Sequence, residues 1–512
     1  MPADNKKIAK NTIFMYIRMI VNILIGFYTS RVILQVLGVS DFGIYNAVGG
    51  IVALFIFLNS AMTEATQRFL SFELGTGNQQ KLAHTFSMCL NVHILISAII
   101  VIIGEVIGLW LLYNKMVIPE NRMNTAFWVF QFSIFASVFN VTQVPYTACL
   151  NAHEDFNIYA LFQILKSVVT LFFVILLKFM DGDKLWWYAL FVLVVQLGFV
   201  IGNRIYDVRN YKECTYHFVW DKSLFYRLFS YTSWSLTGQM SNTLADQGIN
   251  LLMNMFFGPA VNAARGIAVQ VQNSVSSLVW NFQGASIPQI VKLYAKGERD
   301  SYVKLVNSSS KVSFFIFYLM VIPVCFEMHM LLHIWLGQTT DYMILFSILV
   351  LVNVLTAAFG GTLVFLIQAT GKIKGFQIFS SIANALVFPI TYVFFKLGFN
   401  PISPFIVIMI ERLIIDIYTF YGIKKLVDYP INVYYKNVLL PEFIISALGL
   451  IAPSLYIIYM EDTILRCVLL FISCILINSL LIYYIGFNKH EREWIKNLIS
   501  KKVLKFKANK NM

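Results

Sequence analysis

Charge is what this chain has least of: 13% of its 512 residues are Asp, Glu, Lys or Arg, while 58% are hydrophobic. A soluble chain of that size carries about 25% charged and about 45–50% apolar residues, so a water-exposed globular fold is excluded. Cysteine is equally sparse. The six, Cys89, Cys149, Cys214, Cys325, Cys467 and Cys474, are scattered without a CxxC pair, mostly inside apolar runs. They read as small apolar residues rather than a disulfide or zinc framework. The GxGxxG, GxxxxGK[ST] and GxSxG patterns are missing too, which leaves no nucleotide site or nucleophile elbow to argue from. Transport work would then draw on an ion gradient, the membrane potential, the substrate's own gradient or a separate partner, and no cofactor is expected.

What the chain does have is long apolar runs. Windows of about 19 residues predict fourteen membrane helices, near 12–36, 43–66, 86–113, 124–150, 157–179, 185–206, 230–257, 262–288, 308–335, 342–368, 376–397, 403–426, 438–459 and 465–487. At about 20 residues per span these use slightly over half the chain and leave no room for a soluble catalytic domain. The outer connectors are short, as at Gly182 to Lys184 and Gly398 to Pro401. Envelope sugar polymerases and ligases usually work through a sizeable outer loop, so an enzyme is not expected.

The net charge of +13 would point to nucleic acid in a soluble protein. Here it orients the helices. Lys6, Lys7 and Lys10 precede the first apolar run, which is too long for a signal-peptide core and has no small-residue cleavage site, so it reads as a helix that is kept. Most of the 39 lysines and arginines fall in the even-numbered connectors and the two termini. Only Arg31, Lys115, Arg122, Lys178, Lys184, Arg265, Lys396 and Arg466 lie at the opposite boundary. The positive-inside rule therefore predicts both termini in the cytoplasm. The tail from Asn488 interleaves Trp494, Ile495, Leu498, Ile499 and Phe506 with lysines, which suits a helix lying on an anionic inner leaflet.

The halves overlay with a shift of roughly 220 residues. Val36-Leu37-Gly38 ends span one as Phe256-Phe257-Gly258 ends span seven; Gln67 to Gly75 lies over Gln289 to Gly297, and Leu150-Asn151-Ala152 over Ile367-Gln368-Ala369. The expected architecture is an all-α integral membrane protein: a six-helix lobe over 1–215, a second over 216–430 in pseudo-repeat, two appended helices over 431–487, and a basic cytoplasmic tail over 488–512. Transporters built from repeats bind at the repeat interface.

Polar residues in membrane spans are costly and face a cavity or a partner. Span one puts Arg18, Asn22 and Gly26 on one face at i, i+4 and i+8, with Thr29 following. Arg31 joins that face only if the helix kinks near Gly26. Span two aligns Asn46, Ser60 and Glu64. Span seven carries Ser235, Gln239, Asn242, Asp246 and Asn250; span eight sets Arg265, Gln272, Ser276 and Gln283 in one sector. The stripes occupy spans one, two, seven and eight, and predict a central hydrophilic cavity with cationic spots. Asn140, Gln143 and Thr147 in span four add a weaker stripe. Each cation has a plainer alternative, snorkelling to lipid phosphates. Asp246 can instead pair with an arginine, and Arg412 with Asp416 at i, i+4. Lys166 stands on an otherwise apolar span and stays undecided. Glu327, His329 and His333 include an i, i+4 histidine pair, but an interfacial cluster is favoured there and no metal is expected.

The stretch Arg31-Val-Ile-Leu-Gln-Val-Leu-Gly-Val-Ser-Asp-Phe-Gly-Ile-Tyr45, continuing through Ala61, Thr66-Gln67-Arg68-Phe69-Leu70 and Gly75, closely resembles the first helical hairpin of Wzx-type polysaccharide flippases. These belong to the multidrug, oligosaccharidyl-lipid and polysaccharide exporter superfamily; Leu150-Asn151-Ala152-His153-Glu154 is similar as well. The resemblance implies movement of a polyprenyl-(pyro)phosphate-linked oligosaccharide across a bacterial cytoplasmic membrane, for lipopolysaccharide or O-antigen-type surface polymers. The partners implied are the lipid-linked oligosaccharide, membrane lipids and a polysaccharide polymerase. Substrate contacts would fall to Arg18, Asn22, Arg31, Asn242, Asp246, Arg265 and Gln272, arginines for phosphate and amides for sugar. The alternatives are a cation-coupled multidrug antiporter using Asp246 or Glu64, and a membrane-embedded glycan-modifying enzyme.

Overall fold

Helices in this chain break where glycine supplies a backbone that other residues avoid. The computed structural model describes residues 5–54, 57–153, 155–284, 290, 293–294, 296–370, 372–489 and 491–493. The first helix, α1 (Asn5–Ala53), is interrupted at Gly38, with φ 76° and ψ 171°. Gly258, at φ 81° and ψ −176°, separates α8 (Lys222–Phe257) from α9 (Pro259–Gly284) in the same way. Pro259 then opens α9 with its φ already set for a helix. Gly77 and Gly297 are a second pair at positive φ, again 220 residues apart, and Gly182 and Gly398 a third, 216 apart. Three breaks of one backbone type at nearly one spacing make the pseudo-repeat a property of the chain trace. The register differs slightly from the sequence overlay: Gly77, not Gly75, corresponds to Gly297.

Between α1 and α8 run α2 (Phe57–Thr76), α3 (Gln79–Ile103), α4 (Leu109–Asn114), α5 (Met123–Ala152), α6 (Phe156–Leu176) and α7 (Lys184–Asn210). A π-turn, Gly104–Gly108, joins α3 to α4. After α9 follow α10 (Arg299–Phe326), α11 (Met328–Leu336), α12 (Asp341–Ala357), α13 (Gly361–Ala369), α14 (Lys374–Lys396) and α15 (Ser403–Val427). The chain ends with α16 (Ile431–Tyr434), α17 (Leu440–Gly449), α18 (Ile451–Tyr459) and α19 (Ile464–Leu481). Caps explain several starts. Asn78 accepts from Lys81 N, Asp183 from Leu185 N and Trp186 N, and Asp221 from Leu224 N, each satisfying donors that the first helical turn leaves open.

Helix covers most of the described part of each of the fourteen expected spans, with turns at Glu327, 358–360 and Leu450. Among the described residues nine helical stretches are long and apolar enough to cross a membrane, ten if α11 and α12, bent by 119°, count as one. Those outside that set include α2, α8 and α9, which bear polar stripes, and α15, which carries Glu411, Arg412 and Asp416. Large apolar side chains face outward, with Phe172 62%, Ile417 68% and Ile458 70% exposed, the arrangement expected where lipid is the solvent.

The chain packs as two compact units: residues 1–267 with 335–343 and 378–407, and residues 268–334, 344–377 and 408–512. In the first, a core of Ile44, Val48, Ile51, Phe130 and Leu185 joins α1, α5 and α7. Arg122 clamps the helix ends above it, donating to Asp41 Oδ1 at 3.0 Å and to Asp183 Oδ1 at 2.9 Å. In the second, Phe314, Phe315 and Phe317 of α10 pack with Ile445 of α17 and with Ile482, and Lys311 Nζ meets Glu491 Oε2 at 2.6 Å. The tail beyond Glu493 and the side chains of Lys6, Lys7, Lys10, Ser60, Glu64, Arg68, Ser235 and Gln283 lie outside the described residues.

Candidate functional site

Polar groups inside the first unit gather in two places. The first is built on α6, where Tyr159, Gln163, Lys166 and Thr170 recur at i, i+4, i+7 and i+11 and so share a face. That face meets α1, α5 and α7. Arg18 of α1 stacks its guanidinium 5.1 Å from the Tyr159 ring centre, and Asn22 Oδ1 accepts from Ser167 Oγ at 3.0 Å. Lys166 Nζ donates to Gln196 Oε1, and Gln196 Nε2 to Asn140 Oδ1 at 2.5 Å. Arg204 donates to Thr142 Oγ1 at 2.6 Å and Gln143 Oε1 at 3.3 Å, and lies 5.2 Å from the Tyr146 ring centre.

Of these side chains, Tyr159, Gln163, Lys166, Gln196, Asn140 and Gln143 line a cavity of about 170 Å³ between α2, α5, α6 and α7, together with Gln67, Asn151 and Asn203. A second cavity of about 180 Å³ touches Asn140 from the other side, between α1, α5 and α7. Amides and hydroxyls dominate the polar wall of the first. Lys166 is its one formal charge among the described lining residues, and its ammonium is held by a neutral carbonyl oxygen. No carboxylate among the described lining residues cancels this cation, so an arriving anion can pair with it.

The second place is where α1, α8 and α9 meet. Asn250 Nδ2 donates to Asn46 O at 3.1 Å, and Asn262 Nδ2 to Asn250 O at 2.6 Å. The helices approach because glycine lets them: a Cβ on Gly43 would run into the Pro259 carbonyl, and one on Gly266 would lie 2.8 Å from Asn46 Nδ2. Beside this ladder Arg265 Nη2 donates to Asp246 Oδ1 at 2.7 Å and to Asp246 O at 2.8 Å. Arg265 is buried while Asp246 is half exposed.

Sequence reasoning placed the stripes of spans one, two, seven and eight around one central cavity. Within the first unit the described members of those stripes fall into two groups. Asn46, Asn250, Arg265 and Asp246 satisfy one another, whereas Arg18 and Asn22 turn to α6. Arg31 is half-buried farther along α1, which stays helical through Gly26 and breaks only at Gly38. Thirteen residues of unbroken helix leave Arg31 about 140° around from Arg18. Asn242 is exposed on α8, and Gln272 belongs to the second unit. Lys166, Gln196 and Arg204 were not singled out as ligands. The readable signal was the four-residue stripe on α6, hidden because Tyr159 and Thr170 count as weakly polar.

Two charged clusters lie in the second unit. Arg412 Nη2 lies 3.5 Å from Asp416 Oδ1, as their spacing predicts. Arg466 holds Glu327 with both carboxylate oxygens, at 2.9 and 3.1 Å, and Asp462 at 2.7 Å. His329 Nδ1 shares Asp462 at 2.7 Å, and the His329 and His333 rings stack at 6.4 Å.

No family model and no curated relative matches this sequence. Solved structures do match in fold. An inward-facing multidrug resistance MATE family transporter of the MOP superfamily superposes with a TM-score of 0.65 at 14% identity, over 80% of this chain and 98% of that one. The lipid II flippase MurJ, inward closed, gives 0.64 at 14% identity, over 93% and 99%. A MOP superfamily transporter from Pyrococcus furiosus, described as having a binding pocket of reverse polarity, gives 0.57 at 16% identity, over 82% and 95%. The chain thus has the fold that these MOP superfamily transporters and the lipid II flippase share.

Proposed function

We propose that the chain moves a polyprenyl-(pyro)phosphate-linked oligosaccharide from the inner to the outer leaflet of a bacterial cytoplasmic membrane by alternating access, with both termini cytoplasmic. The observation that carries this reading is the amide-lined cavity that keeps Lys166 on a neutral partner. Amides and hydroxyls suit a sugar; a cation whose charge is not cancelled suits a phosphate. Arg18, beside Tyr159 on the same wall, and Arg31 higher on α1 are further phosphate contacts. Asn22, Asn242 and Gln272 supply amides. Arg265 and Asp246 enter as a pair whose charges largely cancel, so they position α8 and α9 first and bind second. The lobes over 1–215 and 216–430 are the moving parts, and a polysaccharide polymerase would receive the product.

The runner-up is a cation-coupled exporter of free amphiphiles. It is favoured by the buried acids of α15, where Glu411 Oε1 and both Asp416 carboxylate oxygens lack a hydrogen-bond partner among the described residues. Proteoliposomes separate the two readings. A fluorescent polyprenyl-pyrophosphate oligosaccharide should become accessible to an external glycosidase only when the protein is present. Export of a cationic dye driven by an imposed ion gradient, with no movement of the lipid-linked sugar, would overturn the proposal in favour of the runner-up.

A further inference from the structure

The scattered cysteines are not all bland. Helix α5 ends at Ala152, α7 ends at Asn210, and the chain after α7 makes a 3-10 turn, Lys212–Cys214. Folding brings these ends together, so that Cys149, one turn before the end of α5, and His153, just beyond it, face Glu213. Cys149 Sγ lies 3.4 Å from Glu213 Oε1, and His153 Nε2 lies 2.6 Å from that same oxygen. The donor atoms of Cys149, His153 and Glu213 all fall within 4.8 Å of one another. Cys149 and Glu213 are buried, and His153 keeps one open edge.

The surroundings fix the orientation of these donors. Gln79 Nε2 donates to the other Glu213 oxygen at 2.8 Å. The His153 ring stacks on Tyr211 at 4.4 Å with 18° between planes, and the Tyr211 hydroxyl donates to Asp155. Metal ligands are commonly steadied in this way by outer partners. A thiol, an imidazole and a carboxylate form a donor set of the soft-to-borderline kind that selects zinc-like ions over magnesium or calcium. A plain His–Glu pair would need only two of the three groups and would not require the thiol beside it.

We propose that Cys149, His153 and Glu213 form a three-ligand site for one thiophilic divalent cation, zinc being the first candidate and water its fourth ligand, which ties the end of α5 to the connector between α7 and α8. Binding releases the Cys149 thiol proton and the His153 imidazolium proton to solvent and forms one metal–sulfur bond, one metal–nitrogen bond and two metal–oxygen bonds, to Glu213 and to water. Bond lengths of about 2.0–2.3 Å set donor separations of roughly 3.3–3.8 Å, so the Cys149–Glu213 spacing already fits and the His153–Glu213 contact opens by under an ångström.

The test uses the full chain in detergent, reduced, stripped with a chelator and titrated with cobalt(II) alone. The expected result is a thiolate-to-cobalt charge-transfer band and tetrahedral cobalt absorption saturating at one equivalent, both abolished by adding zinc. Cys149→Ser should remove the band, whereas Cys467→Ser and Cys474→Ser should not. Gln79→Ala, which keeps all three donors, should weaken cobalt binding roughly 10- to 100-fold. A wild-type titration with no thiolate band overturns the site without recourse to any variant, as does a band that survives in Cys149→Ser. The cobalt readout is independent of transport, so it stands or falls apart from the proposed function.

Discussion

Two cations inside the first unit are held in opposite ways. Lys166 donates to the neutral Gln196 carbonyl beside a cavity, while Arg265 donates to the Asp246 carboxylate in a packed crossing of glycine-lined helices. The first arrangement leaves a charge to be answered by something that arrives. The second answers it within the fold. An intramembrane cation is therefore a binding candidate because of its partner, and not because of its depth alone.

Exchanging the two partnerships is the sharpest way to break this comparison. Lys166→Met should reduce flipping of lipid-linked oligosaccharide at least tenfold, with membrane insertion intact, and Lys166→Arg should restore much of it. Gln196→Glu gives Lys166 the acid that Arg265 already has, so transport should fall severalfold while thermal stability in detergent holds or rises. Transport that persists in Lys166→Met would remove Lys166 from the pathway. The reciprocal change, Asp246→Asn, leaves Arg265 buried with only a neutral partner. Because Asp246 is half exposed, the expected loss is modest, about 1 kcal/mol, read as a lowered melting temperature. Adding Arg265→Leu to Asp246→Asn should cost less than the two single changes summed, as a double-mutant cycle requires of a coupled pair.

The smallest effect concerns the frame that carries these helices. Gly38→Ala and Gly258→Ala meet open space or ordinary contact, since a Cβ at Gly38 has nothing within 4 Å and one at Gly258 lies 3.8 Å from Val117. Each should cost only the penalty of a backbone conformation that is essentially confined to glycine, about 1–3 kcal/mol, and the two values should agree. A much larger loss at one position would mean that the repeated turns carry different loads.

The spans were legible because a twenty-residue apolar run has few other uses, and Gly38 and Gly258 because they close matching apolar runs just before polar turns. The site was only partly legible. Helical phase groups residues on one helix but does not say which neighbour the face meets. Arg18 and Asn22 were therefore assigned to a central cavity, whereas they turn to Tyr159 and Ser167. Lys166 looked solitary because its stripe companions are weakly polar. Cys149 and Glu213 sit 64 residues apart in sequence, and only the meeting of two helix ends makes them neighbours.

The first unit also sets a timetable. It needs residues 378–407: Phe257 rests edge-on against Phe395 at 4.9 Å between ring centres, and a Cβ on Gly248 would strike the Phe388 ring. At about 5–20 residues per second of synthesis, Phe395 leaves the ribosome on the order of 10 s after Phe257. Throughout that interval α8 sits in the bilayer with an unfinished flank, exposed to wrong partners and to quality-control proteases. Biogenesis of this protein should therefore be most vulnerable between the insertion of α8 and that of α14, and a chain stopped in that window is a substrate for degradation rather than a smaller transporter.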